Sequence, residues 1–482
     1  MIGNIILFGW PLVVAILFSM YSRHAAILAS IIVGYLLLPE QLFFNLPILP
    51  TLEKHTIPAL SAFLILLMIG TSLENRNLSG WLPRVVVVRL LMLGLIAGSF
   101  LTVLTNGDPL SYGPLFIPAL RPFDAFSTVL SLLVSLLPFF LARKYLAYPE
   151  QQRAVLLTLA VAGALYAFLA LYEVRMSPQL NNMLYGFFPH SFLQHIRGDG
   201  FRPIVFLNHG LWLSIFFAMA VLAAFGLSRA QSADRKIKYL VLGTWLLFAL
   251  IMSKSLGALA ITMLLLPLVL FVRVPTQILA SAIIASTILL YPALRGGELI
   301  PTETILGWAQ IIDPERAGSL SFRFFNEDIL LEKAQERPLF GWGGFGRNLL
   351  YDEAGFDAAV TDGYWVYSVG IGGWVRFASE FGLLCLPAIF AFLKIRKDQY
   401  GLETSVLLLI LSANLIDLIP NATITPITWL LAGAVWGRIE LGRLENADDA
   451  SVKLSEETKR PAYTRFATST GSPSQTKEQA MQ

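Results

Sequence analysis

Apolar residues run along this chain in blocks of about 17 to 25, separated by short polar connections, until one long interruption at residues 293–365. A block of that length wound as a helix covers the roughly 30 Å of hydrocarbon in a bilayer. The alternation of apolar and polar positions that a membrane barrel strand needs is absent. The spacing predicts spans over 4–20, 25–44, 57–72, 85–105, 123–142, 153–173, 205–227, 239–252, 256–273, 275–292, 366–393, 402–418 and 424–438, about thirteen in all, with twelve or fourteen also compatible. The expected fold is an all-α polytopic membrane protein of about 12–14 transmembrane helices. Its long loop contains short helices.

Composition excludes a soluble domain, since 56% of the 482 residues are hydrophobic and only 14% are charged. The net charge of +3 is small. Its basic residues fall on alternate connections: Arg76 and Arg84, then Arg143, Lys144 and Arg153, then Arg229, Arg235, Lys236 and Lys238, then Lys394, Arg396 and Lys397. Short basic loops stay cytoplasmic, so this charge reports orientation and not nucleic-acid binding. The intervening connections, 106–122, 174–204, 253–256, 293–365 and 419–423, are then expected outside. The first apolar run follows Met1-Ile2-Gly3-Asn4, with no basic stretch before it and no small-residue cleavage pattern after it, and is expected to be a retained span. Residues 441–482 turn rich in Ser, Thr, Lys, Glu and Gln, which predicts a disordered cytoplasmic tail. No internal repeat is visible. The one cysteine, Cys385, lies in an apolar segment, and without paired cysteines there is no basis for a disulfide, redox or zinc site; no metal and no cofactor is expected.

Polar residues concentrate on the outward connections. Gln194-His195-Ile196-Arg197-Gly198-Asp199-Gly200-Phe201-Arg202-Pro203 leads into Phe206-Leu207-Asn208-His209-Gly210, about one turn into the next span. A guanidinium is always charged and its forked donors match phosphate oxygens, so Arg202 suits a lipid-linked phosphate or diphosphate, against the alternative of an interfacial anchor. An ionisable group such as His209 at membrane depth faces a protein cavity, in a structural or a catalytic role. Lys254 sits in Ser253-Lys254-Ser255-Leu256-Gly257-Ala258, a short turn of small residues, as an anchor or a ligand contact. In the long loop Arg323 is followed at helical spacing by Glu327, Leu330, Leu331 and Ala334, which predicts an amphipathic helix ending before Pro338. The glycines of Gly341-Trp342-Gly343-Gly344-Phe345-Gly346 lack the strand and Gly-Lys-Ser/Thr of a nucleotide loop, and fit a turn that lets backbone approach a ligand or another helix. Arg376 and Glu380 lie on one helix face and can neutralise each other, as a structural ion pair or in a substrate role.

In this order, Arg202 with Asn208-His209, the Ser253–Ala258 turn, Arg323 with Arg337-Pro338-Leu339-Phe340-Gly341-Trp342-Gly343, and Glu380-Phe381-Gly382 resemble the O-antigen ligase and polymerase superfamily over roughly residues 197–382. The resemblance implies three parts: N-terminal transmembrane helices over 1–196, a ligase- and polymerase-like core over 197–440 with a periplasmic loop at 293–365, and the tail over 441–482. It implies a metal-independent glycosyltransferase of the bacterial inner membrane that polymerises or ligates polyprenyl-diphosphate-linked glycans for exopolysaccharide or O-antigen. Arg202, Arg323 and Lys254 would bind the diphosphate. The implied partners are that lipid-linked oligosaccharide, membrane lipids and assembly proteins such as a chain-length regulator.

One departure affects catalysis. Where the family often has His-Asn after the glycines, this chain has Thr361-Asp362-Gly363-Tyr364, so Asp362 or His209 would accept the acceptor's proton, or the chemistry is absent. A transporter or flippase of a lipid-linked sugar, and a noncatalytic subunit of a polysaccharide assembly, are the competing readings.

Overall fold

The structure, a computed structural model, describes residues 2–45, 50–70, 78–197, 200–230, 233–312, 314–396, 400–422 and 424–459. Helix accounts for 72% of the chain, and strand among the described residues is confined to three two-stranded ribbons, so the fold is all-α. The helices are α1 (Ile2–Met20), α2 (Arg23–Leu37), α3 (Ile57–Ile69), α4 (Val86–Leu104), α5 (Pro122–Tyr145), α6 (Pro149–Met176), α7 (Gly210–Arg229), α8 (Ala233–Met252), α9 (Leu256–Phe271), α10 (Val274–Gly296), α11 (Thr302–Ile312), α12 (Pro314–Gln335), α13 (Tyr364–Lys394), α14 (Leu402–Asp417) and α15 (Pro426–Lys459). Every expected apolar segment coincides with one of them, and α11 and α12 lie in the long loop.

By length and composition, α1, α4, α5, α6, α7, α10 and α13 can cross a membrane, and α2, α3 and α9 are shorter apolar helices. Leu12, Leu104, Leu165, Phe168 and Phe271 stand exposed along these helices. Rows of that kind suit contact with lipid, where exposed apolar surface carries no penalty. Helix α7 is the exception, buried on nearly all sides and packed against α6, α8, α9 and α14.

The two ends of the bundle differ in chemistry. At one end Arg143 donates to Glu440 Oε2 at 2.6 Å and to the carbonyls of Gly80 and Trp81, while Leu78 N donates to Lys144 O at 2.9 Å. Connections expected in the cytoplasm therefore meet one another. At the other end Arg347 donates to the carbonyls of Asp108 and Pro118, joining the 105–121 connection to the long loop.

Helix α13 is broken. Gly373 has φ +64°, and the four backbone groups freed by the break are taken up by the glycine turn. Trp342 N donates to Gly370 O (2.9 Å) and Gly343 N to Ile371 O (2.8 Å), while Trp374 N donates to Pro338 O (2.8 Å) and Val375 N to Leu339 O (3.3 Å). At membrane depth a broken helix persists only where such partners exist. The turn thus approaches another helix, one of the two approaches open to it in the sequence.

Helix α15 continues to Lys459, past the point where the apolar pattern stops. Residues 460–482, the remainder of the expected tail, and Arg76 and Lys397 lie outside the described residues.

Candidate functional site

Two polar groups form around the residues singled out above. The first is built on α12, which ends at Gln335, before Pro338 as expected. Arg323 Nη1 donates to Pro420 O at 3.0 Å, and its Nε lies 3.8 Å from Asp362 Oδ2. Both side chains keep about a quarter of their surface open, 26% for Arg323 and 28% for Asp362, so both remain reachable from solvent. Partial burial lifts the Asp362 carboxyl above its ordinary range, opposed by the Arg323 charge.

One turn further along α12, Glu327 is buried. Its carboxylate accepts from Trp365 Nε1 and Tyr291 OH, each at 3.3 Å, and lies 3.8 Å from Arg295 Nε. Burial pushes its pKa up to about 7, against those hydrogen bonds and the Arg295 charge. Its pKa suits a general base better than that of Asp362. Geometry decides otherwise, because a base must reach the proton it takes and Glu327 is walled off by Trp365, Tyr291 and Arg295.

The network continues into α13. Tyr364 OH (3.2 Å) and Ser368 Oγ (2.7 Å) donate to Glu380 Oε2, and Arg376 Nε donates to Glu380 Oε1 at 3.0 Å, the pair expected from their spacing. Arg376 lines two cavities. One also touches Tyr364 and Glu380; the other lies between α4, α5 and the glycine turn and includes Asp124 and Gly343. Elsewhere in the Arg-Pro-Leu-Phe-Gly-Trp-Gly segment, Arg337 stacks on the Trp342 ring (4.3 Å) and bonds Asp108 Oδ2 at 2.8 Å. Burial opposes ionisation of Asp108, yet its bonds from Arg337 and its own backbone hold the carboxyl below the usual range.

The second group surrounds Arg202, which is buried. Its Nη2 donates to Lys254 O at 3.2 Å, so the guanidinium holds the backbone of the Ser253–Ala258 turn. Two non-glycine residues here adopt left-handed backbone: Lys254 (φ +54°) and Val205 (φ +56°). Such strain persists only where surroundings over-determine it, and Glu173 supplies that restraint by accepting from Ile204 N (2.9 Å) and Val205 N (2.7 Å).

His209 is not one turn inside a helix. Because residues 204–205 are held non-helical by Glu173, α7 starts only at Gly210, and His209 is its N-cap, Nδ1 accepting from Leu211 N at 3.0 Å. Beside it stand His190 and His195, a grouping that the sequence, with histidines five and fourteen residues apart, does not announce. Thus the structure brings Arg323 to Asp362, and Arg202 to Lys254.

No family model matches the chain, and no curated protein matches it.

Proposed function

We propose that this protein is a membrane glycosyltransferase that polymerises or ligates polyprenyl-diphosphate-linked glycan repeats on the outward, periplasmic face of a bacterial inner membrane. The observation that carries the reading is the partly open Arg323–Asp362 pair, a permanent cation beside a carboxylate of raised pKa, two residues along the chain from Tyr364, which borders one of the Arg376 clefts. Arg323 contacts the donor's diphosphate, and Asp362 accepts the proton of an acceptor sugar hydroxyl. The hydroxyl oxygen then bonds the anomeric carbon while that carbon's bond to the diphosphate oxygen breaks. Polyprenyl diphosphate leaves with the electron pair, its charge stabilised by the guanidinium. Arg202 and Lys254 form a second cationic group on connections expected at the same face, and the apolar walls of the Arg376 cavities suit a lipid substrate.

The test supplies a purified polyprenyl-diphosphate glycan to the protein in liposomes and measures elongated glycan and released polyprenyl diphosphate. Arg323→Ala and Asp362→Asn should each slow product formation by about 100-fold or more, the span typical of a lost general base or charge contact. Wild-type rates in both variants would sink the proposal.

One observation favours a transporter instead: Arg376 lies just past a helix break and borders two cavities, as pathway residues of discontinuous helices do. A transporter would carry the labelled glycan lipid across the liposome wall without forming any new glycosidic bond.

A further inference from the structure

Three of the chain's five histidines stand together: His190, His195 and His209 each present a ring nitrogen within 4.8 Å of the others'. Their ring centres lie 5.8 Å apart for His190 and His195, 4.9 Å for His190 and His209, and 5.0 Å for His195 and His209. Three imidazoles bound to one tetrahedral cation at about 2.1 Å per nitrogen place their ring centres about 5 Å apart, so small ring rotations would close this triangle on an ion. His195 is fully buried, with Phe188 against its ring, and His190 Nδ1 is buried with no hydrogen-bond partner among the described residues.

We infer that His190, His195 and His209 form a binding site for a divalent transition metal of the zinc class. The donor set selects the metal: imidazole nitrogens suit zinc, copper, nickel or cobalt, whereas calcium and magnesium require oxygen. Three protein ligands leave a fourth position for water or another oxygen donor, as in zinc sites that keep an open position. The elements hold the ligands independently of the metal. His195 O accepts from Arg202 N at 2.7 Å, and the Arg202 stem packs against Gly210, next to His209, where there is no room for a side chain.

Coordination by His209 costs its cap. If Nδ1 binds the metal, it releases Leu211 N; if Nε2 binds, the proton moves to Nδ1, which then no longer accepts. A single cap is small beside coordination to three imidazoles. The site goes beyond the transfer chemistry proposed above, and it removes His209 as the proton acceptor because its lone pair is committed to the cation.

The experiment uses the full chain, purified in detergent through a tag without histidines, stripped with chelator and titrated with zinc. Metal content after gel filtration should approach one zinc per chain in the wild type and in His55→Ala, and zinc affinity should fall at least tenfold in His190→Ala. Cobalt in place of zinc should give the intense visible bands of a four-coordinate site in the wild type, a readout that needs no variant to fold. Failure of the wild type to retain zinc, or equal retention in wild type and a monodisperse His190→Ala, would overturn the site. Neither result touches the glycosyl-transfer assay, so the two proposals fail separately.

Discussion

Glu327 makes stability depend on pH. Its carboxyl titrates near 4.5 in an unfolded chain and at about 7 in the fold. Below pH 4.5 both states are protonated and nothing is lost. As pH rises the unfolded chain ionises first, so folding weakens through the window from 4.5 to 7 and levels off above it, by about 3 kcal/mol. Glu327→Gln should therefore raise the midpoint of thermal unfolding in detergent at pH 8 and leave it unchanged near pH 4.5. Parallel curves for variant and wild type across that range would remove the titration from Glu327. The sequence shows Glu327 only as the next turn after Arg323; that one is buried and the other open depends on Trp365 and Tyr291, which arrive from α13 and α10. The Arg376–Glu380 pair was legible because its partners are neighbours on one helix. His190, His195 and His209 were not, because only the fold of the 186–209 connection brings them together.

The glycine turn acts as a splint for α13. A side chain at Gly341 would place its Cβ 2.6 Å from the backbone nitrogens of Gly372 and Gly373, and its φ of +64° disfavours any other residue. Backbone on both sides leaves nothing flexible to move aside. Gly341→Ala should destabilise the protein by about 3 kcal/mol or more, by adding overlap to left-handed strain. Gly344→Ala, where nothing lies within 4 Å, should change stability by less than about 0.5 kcal/mol. Thermal midpoints of the two variants check this, and equal losses would mean that the turn does not depend on close approach. Apolar runs made the helices readable, and clustered glycines made the turn readable. The break was not, since Gly372 and Gly373 interrupt an otherwise continuous apolar run and the groups that stabilise it come from residues 338–343.

Orientation decides whether Arg323 and Asp362 face the side on which the proposed substrate is handled. The basic connections near Arg84, Arg143 and Arg438 meet at one end of the bundle, and Arg229 donates there to the carbonyls of Val269 and Val272, closing the next pair of helices at their basic ends. Arg337, Arg347, Asp108 and Asp362 gather on connections expected at the other end. If short basic loops remain in the cytoplasm, the α12 loop lies outside. Cysteine labelling tests this directly, because the native Cys385 is fully buried and gives little background. A membrane-impermeant thiol reagent applied to spheroplasts should label Phe356→Cys, 71% exposed in the long loop, and should label Ile237→Cys, 58% exposed at the start of α8, only after the membrane is permeabilised. The reverse pattern would put the Arg323–Asp362 pair in the cytoplasm. A phosphate-binding arginine beside a carboxylate would then face nucleotide-linked sugars as readily as lipid-linked ones, and the polymerase reading would lose its main physical support.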